Sequence, residues 1–222
     1  ALAVALVATV QAALAPPFTP DSPRPLNLTY FQDAVDGVAH YVVRAPAVPG
    51  PLRTVMTFPE RPEPFYPWAP QTRVFAAPAP PLQIPGPELS VLASTGEGGK
   101  RHLRVKLRSP RGAETASLLI PEAANVESIA WDGHPVFEKK GDRGSLPFEG
   151  GWYNYTYLTL PAEGIEADLV LGNAQPLTWY VADRSRNLPA AAGKLLAARS
   201  IAAALTPIHD GDGLVLARKV TI

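Results

Sequence analysis

Arg101-His102-Leu103-Arg104-Val105-Lys106-Leu107-Arg108 decides the fold class. Successive side chains of an extended chain point to opposite faces, so Leu103, Val105 and Leu107 share one side while Arg104, Lys106 and Arg108 share the other. That is a half-buried strand with a basic outer face. Glu88 to Ser94 is a second strand, and Thr95-Gly96-Glu97-Gly98-Gly99 joins the two as a hairpin. The period of two recurs outward in both directions. Leu26-Asn27-Leu28-Thr29-Tyr30 and Gly37 to Arg44 flank Asp36-Gly37, a dipeptide suited to a two-residue hairpin turn. Thr115 to Ile120 and Val126 to Trp131 follow, the latter closed by a turn at Asp132-Gly133-His134-Pro135. Tyr153, Tyr155 and Tyr157 share one face of a strand; Ile165, Ala167, Leu169 and Leu171 share another, as do Leu177, Trp179 and Val181, and Leu214 to Ile222 closes the chain.

About ten short strands with turn signals between them predict a mainly β chain folded as an antiparallel β-sandwich. One α-helix is expected near the C-terminus, over Pro189 to Leu205, where Leu195, Leu196, Arg199 and Ala203 fall at helical spacings and Pro207 stops it. A second, apolar helix is expected at the N-terminus. Ala1 to Ala15 reads ALAVALVATVQAALA, carries no charge and ends at Pro16-Pro17. It lacks an initiating Met and reads as the end of a transmembrane helix cut from something longer, with a buried core helix and a signal peptide as the alternatives. The expected organisation is a stem over 1–17 and one β domain over 18–222. Detached from a membrane, such a stem either packs on the domain or drives self-association.

Half of the 26 prolines lie between Pro46 and Pro87, within an extended segment over 45–87. Its Phe65, Tyr66 and Trp68 argue that it packs down on the domain, because a disordered linker seldom carries three aromatics so close together.

Lys+Arg and Asp+Glu are each 20, so there is no net basic field and nucleic acid is not an expected partner. Cysteine is absent, which excludes disulfides, thiolate zinc sites and a cysteine nucleophile. Neither a GxSxG elbow nor a phosphate-binding glycine loop is present. His40, His102, His134 and His209 lie far apart, so no HExxH motif exists. In His209-Asp210-Gly211-Asp212-Gly213 an imidazole and two carboxylates sit close together, but two glycines between a helix and a strand are what a tight connection needs, and a turn is the preferred reading over a cation site. No catalytic, cofactor-binding or metal-binding residue is assigned to this chain. The binding-face candidates are Trp152, Tyr153, Tyr155 and Tyr157, with Phe65, Tyr66 and Trp68, as a stacking surface for a glycan or an extended peptide; cross-strand packing is the commoner use of such a tyrosine row. Asn27-Leu28-Thr29 and Asn154-Tyr155-Thr156 match the glycosylation sequon, while a composition rich in Ala, Arg and Pro and poor in Met and Cys favours a bacterial source.

Several segments together carry a resemblance. An apolar helix end runs into Pro23-Arg24-Pro25-Leu26-Asn27-Leu28-Thr29-Tyr30, then Gln32-Asp33-Ala34 and Gly37-Val38-Ala39-His40-Tyr41. Gly98-Gly99-Lys100-Arg101-His102 continues through Leu107-Arg108-Ser109-Pro110-Arg111-Gly112, and the chain closes with Ile208-His209-Asp210-Gly211-Asp212-Gly213-Leu214 through Arg218. This resembles the C-terminal domain of membrane-bound zinc exopeptidases of metallopeptidase family 28, the group similar to the endoplasmic reticulum metallopeptidase and the vacuolar membrane protease. The resemblance implies a catalytic domain that binds zinc, then membrane helices of the same polypeptide, then a non-catalytic accessory β domain on the periplasmic side of the membrane, or the lumenal side in a eukaryote. None of the family's zinc ligands or its catalytic glutamate has a counterpart here. Zinc and aminopeptidase activity would belong to the parent's catalytic domain, and a glycan- or peptide-binding module is the alternative function.

Overall fold

The structure, a computed structural model, describes residues 14, 18–19, 21–139, 150–199, 203–204 and 211–222. The apolar segment expected to form the N-terminal helix lies outside the described residues, Leu14 excepted. The strands are β1 (Arg24–Pro25), β2 (Leu28–Asp33), β3 (Ala39–Val43), β4 (Glu63–Pro64), β5 (Arg73–Ala79), β6 (Glu88–Glu97), β7 (Lys100–Arg108) and β8 (Thr115–Pro121). They continue with β9 (Val126–Trp131), β10 (His134–Glu138), β11 (Trp152–Leu158), β12 (Ile165–Leu171), β13 (Thr178–Arg186), β14 (Ala203–Ala204) and β15 (Gly213–Thr221). Two short helices, α1 (Gly50–Val55) and α2 (Gly193–Ala197), interrupt them. The chain is therefore mainly β.

Two sheets dominate. One has five strands in the order β10-β9-β12-β7-β6; the other has eight, in the order β11-β8-β13-β15-β2-β3-β5-β4. Neighbours are antiparallel except β15 and β2, which run parallel with Gly213 opposite Thr29, so the expectation of a purely antiparallel arrangement fails where the two ends of the chain meet. Leu103, Val105 and Leu107 are buried as their alternation predicts, and they share one apolar cluster with Leu169 of β12, Ile120 of β8 and Trp179 of β13. The inner faces of both sheets thus contribute to a single core. Farther along the same face of the large sheet, Tyr30, Tyr41, Phe75 and Leu216 pack beneath Leu52 of α1, Phe58 and Leu195 of α2.

A buried charge sits on the seam between these clusters. Asp183 of β13, opposite Ala116 of β8 and Leu216 of β15, accepts from Ser109 Oγ (2.5 Å) and from Arg111 Nη2 (2.8 Å). Arg111 also donates to the Leu214 carbonyl (3.2 Å) and to Ser185 Oγ. Burial pushes the Asp183 carboxyl above its ordinary value, while the hydrogen bonds and charge of Arg111 and the bond from Ser109 pull it back. Deleting one partner of such a pair costs about 3–5 kcal/mol, because the other charge stays buried.

The Pro-rich segment is more regular than its composition suggests. Pro51 occupies the first turn of α1, where its missing N–H is tolerated. β5 is a full strand despite Pro78; β4 reaches only Arg73 and Val74, so the far end of β5 behaves as an edge. Beyond it, the Gln32 side-chain amide takes the place of a strand, accepting from Leu82 N (2.8 Å) and donating to Leu82 O (3.1 Å).

Four local expectations are corrected. The β2–β3 connection is not a two-residue turn: it runs from Asp33 to Val38, with Asp33 Oδ1 accepting from Val35 N (2.7 Å). The β6–β7 turn shrinks to Gly98-Gly99, both at positive φ, because that conformation matches the strand twist and frees the flanking residues to extend both strands. Asp132-Gly133 forms a similar turn, and His134-Pro135 belongs not to it but to the edge strand β10. The helix expected over Pro189 to Leu205 ends at Ala197, and Ala203-Ala204 pairs in parallel with β1. Alanine-rich sequence favours a helix, but only Leu195 of α2 is buried, and a one-sided contact that small does not hold a long one.

Candidate functional site

The seven binding-face candidates divide between two sides of the large sheet. Tyr153 and Tyr155 point inward and are buried in the shared core, with Tyr157 packed against it; Tyr157 meets Trp131 edge-on at 5.6 Å. The tyrosine row is therefore core packing and offers no open stacking face. Its neighbour Trp152 faces the opposite way, because alternate residues of a strand do.

On that outer face Trp152 joins the other three candidates. The outward residues of the large sheet are unusually apolar: Phe31 of β2, Val42 of β3, Val74 of β5, Leu119 of β8, Ala182 of β13 and Ala217 of β15 are all buried. A strap formed by residues 62–72 crosses them. Phe65, Tyr66 and Trp68 lie 5.2, 5.6 and 6.2 Å from the Phe31 ring, and Trp68 lies 5.2 Å from Tyr180. Trp152 closes the row at 5.5 Å from Tyr180, and His40 meets Phe65 edge-on at 5.2 Å. Burial holds the His40 imidazole below its ordinary value. The expectation that the Pro-rich segment packs down through these rings agrees with the structure.

Beside the strap the face opens into two adjoining depressions, of about 380 and 410 Å³, that share Thr29, Arg44, Tyr66 and Arg184. Thr115, Ser117, Asn154 and Thr156 extend the first toward β11, with Trp68 as its wall. Ser117 and Thr156 hydroxyls are 2.7 Å apart, and Thr156 donates to Asn154 Oδ1 (3.0 Å). Arg184 is braced by the Gly211 carbonyl (2.9 Å). Burial pushes the Tyr66 phenol up to about 12 against the opposing pull of the Arg184 and Arg44 charges, so Tyr66 remains a protonated donor. Chemically the groove presents hydroxyls, one amide, guanidinium groups and aromatic edges; it presents no nucleophile paired with a base.

Thr29, Arg44, Thr115, Ser117 and Arg184 escaped the sequence reading. Their signal is positional: Thr29, Thr115, Ser117 and Arg184 lie on strands of the large sheet and Arg44 directly follows β3, and only the strand registers bring them together.

The remaining chemistry is structural. Asp212 is buried, accepts from Leu28 N (2.8 Å) and pairs with Arg199 (2.5 Å), so it ties the start of β15 to β2. His209 and Asp210 of the same motif lie outside the described residues. Among the described residues no three His, Cys, Asp or Glu side chains come close enough to share a metal, and Asp212 is engaged by Arg199. Among the described residues no helix is long and apolar enough to cross a membrane. In comparisons with known proteins, no family model and no curated protein matches the chain.

Proposed function

We propose that this chain is a non-catalytic accessory domain of a membrane-anchored zinc-dependent aminopeptidase, standing on the periplasmic side, or the lumenal side in a eukaryote. In this reading its two sheets form a β-sandwich carried on an apolar N-terminal stem. Its partners are the membrane helices and catalytic domain of the same polypeptide, and its role is to stabilise that domain or limit access to it.

One observation carries the reading. Three stretches that bear the resemblance, distant in sequence, converge on one structural unit: β2 pairs with β15, Asp212 accepts from Leu28 N, and Arg111 reaches both Asp183 and the Leu214 carbonyl. Ser109 and Arg111 come from the stretch after β7, Leu28 from the N-terminal stretch, and Asp212 and Leu214 from the last one. Residues spent on buried pairing and chain registration describe an architecture and not a reaction.

The test is direct. The full chain, purified with zinc and offered aminoacyl chromogenic substrates, should show no hydrolysis. Turnover that survives purification and disappears when a residue of this chain is changed would overturn the proposal.

A further inference from the structure

We propose that the groove between the aromatic strap and β11 is a binding site for an acidic oligosaccharide, a pyranose chain bearing carboxylates. This inference goes beyond the accessory role and stands or falls without it.

The ligand class follows from what the groove floor has left to offer. The floor is made by β2, β15, β13 and β8, each paired on both sides, so their backbone groups are consumed in the ladders. An extended peptide recognised by strand addition needs a free edge; these four strands have none, and the free edge of β11, the last strand of the sheet, lies on the side away from β8 and the groove floor. Recognition here must come from side chains. Those available are the hydroxyls of Thr29 and Thr115, which donate and accept, the remaining acceptor capacity of Ser117, whose proton goes to Thr156, and the amide nitrogen of Asn154, whose oxygen accepts from Thr156. The Thr156 hydroxyl engages Asn154 Oδ1 and directs the exposed amide nitrogen away from itself. Beside this polar row stand the Tyr66 and Trp68 rings, stacked on each other at 5.6 Å, which supply rigid apolar surface next to the donors. A hydroxyl-rich ring with one apolar face matches such a pairing of ring wall and convergent polar groups.

The acidic component follows from charge. Arg44 and Arg184 both line the groove. Asp183 lines the groove as well, but its side chain is fully buried, turned to the inner face and held by Ser109 and Arg111. Among the described residues Arg44 has no ion-pair partner and is exposed, so its guanidinium is placed to take a carboxylate in a two-pronged bond.

The experiment uses the full chain and an immobilised set of hexasaccharides: galacturonate, mannuronate and hyaluronan oligomers, with cellohexaose and maltohexaose as neutral counterparts and unstructured decapeptides alongside. Saturable binding to at least one uronate oligomer is expected, about tenfold or more above the neutral sugars and weakened by salt. Arg44→Ala and Asn154→Ala, both at exposed positions, should each reduce it by about tenfold without moving the thermal midpoint. Tyr66→Phe keeps the ring packing and should also weaken binding. No binding to any uronate oligomer, binding only to peptides, or uronate binding indifferent to both Arg44→Ala and Asn154→Ala would each overturn the proposal. Failure here leaves the hydrolysis test of the accessory role untouched.

Discussion

The two sheets turn very different outer faces to their surroundings. On the five-stranded sheet the outward side chains of β7 pair with those of β12 and β6, with Arg104 bonded to Glu166 (2.8 Å) and near Asp168 (3.6 Å), and Arg108 near Glu88 (3.6 Å). On the eight-stranded sheet one outward residue on each of six strands is apolar and buried, and the chain supplies their roof, the strap with Phe65, Tyr66 and Trp68. The difference lies in the alternation. Where every second residue is charged, water covers the face; where both alternations are apolar, another part of the protein must cover it. The strap covers only part of the width, and the groove begins where its rings end.

The largest expected effect breaks the roof. Trp68→Ala removes contacts with Phe31, Tyr66 and Tyr180 together. Truncating a large aromatic costs about 3–5 kcal/mol when fully buried. Trp68 is only half-buried, so a loss of about 3 kcal/mol is expected in urea unfolding. A loss below about 0.5 kcal/mol would mean that the strap decorates the sheet and does not stabilise it.

This contrast explains which parts of the fold were legible in the sequence. β7 is legible because only one of its faces is buried, and Leu103, Val105 and Leu107 stand out against arginine and lysine. In β2, Leu28 and Tyr30 face the inner core while Phe31 stands between Thr29 and Asp33 on the outward side, so a single apolar residue interrupts an otherwise ordinary alternation and does not by itself announce a covered face. The aromatics of 65–68 announce packing by their density, but their target is hidden: it consists of single outward positions on six strands, brought together by registers that no local pattern encodes. The tyrosine row shows the same limit in reverse. Its alternation revealed a shared face without revealing which way that face turns. β10 is hidden because Pro135 suggests a turn, whereas at a sheet edge a missing N–H costs little.

A smaller effect is expected on the bare face. Arg104→Ala breaks the contacts to Glu166 and Asp168, but both partners and Arg104 are substantially exposed. Exposed pairs contribute about 0.2–1 kcal/mol and are screened by salt. Urea unfolding should therefore show a loss under about 1 kcal/mol that shrinks further in high salt. A loss matching that of Trp68→Ala would erase the distinction between the two faces.

The smallest effect is a pH dependence beneath the roof. The His40 ring meets Phe65, and burial holds its imidazole below the ordinary value of 6.5. The unfolded chain therefore binds the proton more readily than the folded one. By linkage, the stability that His40 contributes is fully present above the unfolded value and is lost as pH falls through it. His40→Gln removes this term, so wild-type stability should fall more steeply than the variant's when pH is lowered from about 7.5 to 5.5. Asp183 and every other carboxylate are common to both proteins and drop out of the difference. Parallel pH curves would show that protons reach His40 as easily as they reach the unfolded chain, and the roof over that part of the sheet would then be open to water. A variant that loses stability faster than wild type on acidification would reverse the sign and place a stabilising partner for the imidazolium beneath the strap.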